Sequence, residues 1–97
     1  MITEDKVEKI VAPEKDGTRF CILTSRYYDD SLAYFLFLFG IAKKDFPELE
    51  EKDCKTHQYA GRFRKGMRGL EFSIKADAMP EEYKEWSNDC ICTYFPT

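Results

Sequence analysis

Ninety-seven residues, of which 43% are hydrophobic, 15% aromatic and 34% charged, are enough for one cored domain and too apolar for a disordered or low-complexity chain. Eighteen acids against 15 Lys plus Arg leave a net charge of −3, so no overall basic charge favours nucleic acid or an anionic membrane. The longest apolar run, residues 32–42, falls well short of the ~20 residues a membrane helix needs. The first residues, Met1-Ile-Thr-Glu-Asp-Lys6, lack a secretory or transit pattern. The reading is therefore a cytoplasmic protein whose four cysteines, Cys21, Cys54, Cys90 and Cys92, are free thiols.

In chain order, Val7 to Ala12 is a short mixed segment closed by Pro13, and Asp16-Gly17 is a hairpin turn signal. The second arm, Arg19 to Tyr28, contains Phe20-Cys21-Ile22-Leu23 without alternation, the pattern of a central strand buried on both faces. Asp29, Asp30 and Ser31 are N-cap residues for a helix from Leu32 to Lys44, whose two terminal lysines suit its C-terminal carbonyls. An acidic connection, Asp45 to Asp53, holds Pro47 and one helical turn over Pro47 to Glu51. A second hairpin follows, with Tyr59 and Phe63 on one arm, Leu70, Phe72 and Ile74 on the other, and residues 64–69 between. Pro80, Glu81 and Glu82 predict a short helix to Trp86, and Cys90 to Phe95 a closing strand. The sum is one α+β domain over residues 1–97: a largely antiparallel sheet of about five strands with two helices in ββαββαβ order.

No catalytic signature stands out. The chain lacks a Walker-type loop, a dinucleotide glycine fingerprint and a G-x-S-x-G elbow, and His57 is the one histidine that could activate a cysteine. The expectation is a non-enzymatic protein. Cys54, His57, Cys90 and Cys92 amount to four zinc-ligand side chains. Their spacing departs from paired zinc knuckles, so core thiols and a surface histidine are the simpler reading, with no metal or cofactor. The apolar helix, hard to cover fully in so small a domain, allows a monomer or a weak homodimer.

Charge layout is more informative. Segments 1–18, 19–44, 45–53, 54–75 and 76–97 carry −2, +2, −4, +5 and −4. The basic segment 54–75, with Lys55, Arg62, Arg64, Lys65, Arg68 and Lys75 among aromatics, resembles a nucleic-acid surface in composition, and a small nucleic-acid-binding accessory protein is the alternative function. Set against it are the acids: Glu4, Asp5 and Glu8, the loop Tyr27-Tyr28-Asp29-Asp30, the run Glu48 to Asp53, and Glu81, Glu82, Glu85 and Asp89. Gathered on one surface, such carboxylates would engage cations that otherwise hold DNA.

The small size, the missing catalytic motif, the capped aromatic stretch Tyr27-Tyr28-Asp29-Asp30-Ser31-Leu32 through Phe39 and the acidic segments together resemble the small phage-encoded anti-CRISPR proteins, above all the type I-F inhibitors that act as DNA mimics. The resemblance implies non-enzymatic binding to the host's Csy surveillance complex, where Lys and Arg of the large and backbone subunits grip DNA. It implies no direct nucleic-acid or membrane partner. On this reading Asp5, Asp29 and Asp30 carry the contact, supported by Glu8 and by Tyr27 and Tyr28, which combine charge with low-entropy anchor area. The basic segment would then face away, or touch another subunit or the guide RNA.

Overall fold

The computed structural model describes residues 3–25, 31–58, 67–75 and 79–86, with backbone alone at residues 57–58 and 67–68. Strands β1 (Glu8–Val11) and β2 (Thr18–Thr24) precede helix α1 (Leu32–Asp45), and β3 (Lys55–Gln58), β4 (Met67–Lys75) and β5 (Lys84–Glu85) follow it. They form one sheet in the order β3-β4-β2-β1-β5. Three of the pairings are antiparallel; β1 with β5 is parallel. The protein is an α+β domain with a mixed sheet and, among the described residues, one α-helix and 3-10 turns at Glu4–Lys6 and Glu51–Asp53. Among the described residues, no helix is long and apolar enough to cross a membrane.

The first hairpin follows from its turn chemistry. Asp16 and Gly17 both take positive φ (54° and 74°), as a two-residue loop with the twist of its strands requires. Lys15 and Thr18 exchange backbone hydrogen bonds of 2.8 and 3.0 Å across it. Beyond the turn the register slips by one, because Ala12 N–H bonds Phe20 C=O and leaves Pro13 and Glu14 opposite the single Arg19. That bulge accommodates a proline, which has no N–H for the ladder. Arg19 closes it by donating from Nε to Ala12 C=O at 3.0 Å.

β2 is the central strand, and Cys21, Ile22, Leu23 and Thr24 are buried in succession, as the lack of alternation predicts. Cys21 and Leu23 share a face with Phe72 and Leu70 of β4 and with Val11 of β1. Ile22 opposes Ile10 on the other face. α1 lies on the first face. Its residues Tyr34, Leu38, Ile41 and Ala42, at helical spacing, complete the core with Leu49 and Tyr83. Ser31 caps the helix by accepting from Tyr34 N–H at 3.2 Å, and the buried Tyr34 and Ser25 hydroxyls satisfy each other at 2.7 Å. Leu32 and Leu36 remain 67% and 43% exposed, so the helix is only partly covered.

Three expectations are corrected. Residues 81–82 form a turn rather than a helix: Tyr83 N–H bonds Pro80 C=O, Tyr83 is buried, and Lys84–Glu85 pair with Ile10 and Val11. The second expected helix is therefore the fifth strand. The one-turn helix falls at Glu51–Asp53, while residues 47–48 form a turn. Finally β4 begins at Met67, with Gly69 inside the strand rather than in a loop. A Cβ there would lie 2.2 Å from the Leu23 carbonyl oxygen, so only glycine permits this approach of β4 to β2. The expected strands at residues 59–63 and 90–95 lie outside the described residues.

Candidate functional site

Most charge on the described surface is consumed by the fold. Lys9 lies on the helix-facing side of β1, in register with Leu23, where an ammonium group needs a partner. The last residue of α1 supplies it: Asp45 Oδ2 accepts from Lys9 Nζ and from the Tyr83 hydroxyl, each at 2.9 Å, with the two charged side chains 14% and 18% exposed. Lys9 Nζ also lies 5.6 Å from the Tyr83 ring centroid. Burial first, and then the hydrogen bond to Asp45, push the Tyr83 hydroxyl well above the ordinary phenol range. Phe46 packs edge-on against both Phe72 and Tyr83. This latch ties the end of α1 to β1 and to the segment entering β5.

The helix-terminal lysines are occupied as well. Lys43 Nζ donates to the carbonyls of Pro47 (3.0 Å) and Leu49 (2.8 Å), clamping the connection that follows the helix. Lys44 bonds Glu4 at 2.6 Å, and this bond raises its pKa. Arg19 pairs with Glu85, and Lys84 with Glu8 at 3.2 Å. Exposed Lys52 and Glu50 pair at 3.1 Å.

What remains unpaired among the described residues is more acidic than basic: Lys6, Lys15, Lys55 and Lys75 against Glu14, Asp16, Glu81, Glu82 and three acids of one connection. Glu48, Glu51 and Asp53 are exposed on the connection between α1 and β3, and none of their carboxylates has an ion pair or hydrogen bond among the described residues. Cys54 registers their field. Burial first, then the charges of Asp53 and Glu51, push its thiol up to about 11. Cys21, buried in β2, is pushed up to about 12. Both thiols are protonated at neutral pH and neither is an activated nucleophile.

The expected contact residues do not form one group. Asp5 sits on the exposed first 3-10 turn and accepts from the Thr3 hydroxyl, the main cause of its lowered pKa. Glu8 is held by Lys84 on the opposite side of β1 from Lys9. Tyr27, Tyr28, Asp29 and Asp30 lie outside the described residues. Ser31, which follows them, caps the end of α1 about 20 Å from Lys44 by the rise of the helix. Of the basic segment, Lys55 and Lys75 are exposed at strand ends, Arg62, Arg64 and Lys65 lie outside the described residues, and only the backbone of Arg68 is described. Among the described residues no three His, Cys, Asp or Glu side chains gather as metal ligands, and Cys90 and Cys92 lie outside them.

Sequence reasoning grouped Glu48 to Asp53 as an acidic run but could not separate Asp45, which the latch neutralises, from the three free carboxylates. The available signal was Lys43, whose position at a helix end favours carbonyl bonding over neutralising nearby acids. No family model, curated protein or solved structure matches the chain.

Proposed function

We propose that the protein is a non-enzymatic inhibitor that binds a CRISPR Csy (type I-F) surveillance complex and blocks target DNA through an acidic, DNA-mimicking surface. The observation that supports this reading is the rim of exposed carboxylates Glu48, Glu51 and Asp53, unpaired among the described residues, on a connection clamped in place by Lys43. Carboxylates held on a fixed backbone lose little entropy on docking, and cations arranged to grip phosphates are their natural complement. The raised pKa of Cys54 is consistent with the same local negative field. The rim serves this purpose better than Glu8, which already has a cation, or Asp5, which already has a donor.

The test is a gel-shift titration of guide-loaded Csy complex with its target DNA in the presence of the protein. The wild-type chain is expected to abolish the DNA shift, less effectively as salt rises. The variant Glu48→Lys/Glu51→Lys/Asp53→Lys is expected to need at least ten times more protein. Unimpeded DNA binding at saturating wild-type protein, or equal inhibition by the charge-reversed variant, would refute the reading.

A further inference from the structure

β4 is longer than its outer neighbour. β3 accompanies it from the Gln58 and Met67 pair only to Lys55 and Glu71, whereas β2 follows it to Thr18 and Lys75. Immediately before β3 the chain turns aside through Glu51–Asp53. Phe72, Ser73, Ile74 and Lys75 therefore have β2 on one side and, among the described residues, no strand on the other. Successive residues of a strand send their N–H and C=O groups to opposite sides, so two of these four turn both groups toward the gap.

Hollows flank the gap. One of about 340 Å³ opens beside Phe20, Lys55 and Glu71, and one of about 550 Å³ lies on the helix side beside Phe46, Leu49 and Ile74. Asp53 and Ser73 line both. A strand edge that no described residue pairs, with a recess on each face, is the geometry of strand addition, in which backbone pairing supplies affinity and alternate side chains enter the two recesses.

The larger recess names the chemistry of its guest. Phe46, Pro47, Leu49 and Ile74 give it an apolar floor, and its charged lining is mostly acidic: Asp45 is held by Lys9, Glu48 and Asp53 have no ion pair among the described residues, and Lys75 is the one described cation at its edge. Lys43 in the last turn of α1 is bonded to the Pro47 and Leu49 carbonyls, and Lys52 within the connection pairs with Glu50. A side chain that is aliphatic along its stem and cationic at its tip, arginine or lysine, fits both features. Lys55 and Lys75 stand near the two ends of the gap and disfavour registers that bring the guest's cation to them.

We propose that an extended basic segment of a partner protein pairs with Phe72–Lys75 as an added strand and sets an arginine or lysine against Glu48 and Asp53. This rests on the reading that the acidic connection faces a cationic protein, and it specifies how the contact is made.

The probe is a labelled nine-residue peptide alternating arginine with threonine, followed by fluorescence anisotropy and by amide shifts and hydrogen exchange of the full chain. Binding is expected to shift the amides of residues 72–75 and slow their exchange. Affinity should fall at least fivefold in Glu48→Gln/Asp53→Asn. It should fall at least tenfold for the same peptide N-methylated at alternate residues, which keeps every charge but cannot pair as a strand. Undiminished binding of the N-methylated peptide, equal binding of a glutamate-for-arginine peptide, or shifts confined to other strands would overturn the proposal. Inhibition of the Csy complex by a chain whose gap ignores the peptide would end this inference alone. Gap binding without inhibition would end the broader reading alone.

Discussion

Asp45 and Asp53 bound the same acidic connection, eight residues apart, and meet opposite fates. Asp45 is half-buried and bonded twice, to Lys9 and Tyr83; Asp53 is exposed, has no ion pair among the described residues, and borders both recesses beside β4. The difference comes from what each backbone position faces. The last turn of α1 lies over β1, where Lys9 points inward and requires a counter-charge. The 3-10 turn carries Asp53 past the end of the sheet, where Lys55 and Lys75 border the same recesses but neither forms an ion pair with it. Summed charge along a segment is thus a poor guide to surface charge: two carboxylates of like type, one structural and one available, count equally in it.

The sharpest way to break this comparison is Asp45→Ala. It leaves the Lys9 ammonium mostly buried without its anion and the Tyr83 hydroxyl without its acceptor. The expected loss, read by chemical denaturation at neutral pH, is about 2–4 kcal/mol. A loss below about 0.5 kcal/mol would make Asp45 an ordinary surface acid and dissolve the contrast. By the same logic Glu48→Gln/Glu51→Gln/Asp53→Asn should change stability by no more than about 0.5 kcal/mol, since these side chains hold nothing in the fold. A larger loss in that variant would mean that the rim is structural.

Much of the fold was legible where local chemistry and tertiary pairing agree. Asp16-Gly17 specified the first turn, Ser31 the start of α1, and the unbroken run Phe20 to Leu23 the central strand. The failures share a cause. Pro80-Glu81-Glu82 has the composition of a helix start, but the segment that follows is captured by β1: Trp86 N–H bonds Val11 C=O, and burial of Tyr83 fixes the approach. Lys55–Gln58 is polar throughout and shows no period of two, as suits an edge strand, so only its pairing with β4 reveals it. The candidate site was legible as an acidic run and no further. Which carboxylates stay free depends on Lys9, Lys43 and Lys44, two of which reach partners through contacts that no spacing within the connection encodes.

The smallest effect tests the rim's field without any partner. Cys54 is the reporter, its thiol raised to about 11 from an ordinary value of 9.0 by burial and by Asp53 and Glu51. Because the folded pKa lies above the unfolded one, the protonated thiol contributes stability below pH 9 that is lost as pH rises through about 11. Alkylation of Cys54, followed by peptide mass mapping, should therefore be slow at neutral pH and rise with a midpoint near 11. In Glu51→Gln/Asp53→Asn the midpoint should move down only part of the way, since burial is the larger cause and remains. An unmoved midpoint would mean that solvent screens those carboxylates from a neighbouring thiol. A rim so screened would exert no pull on a more distant cation, and the contrast with Asp45 would reduce to burial alone.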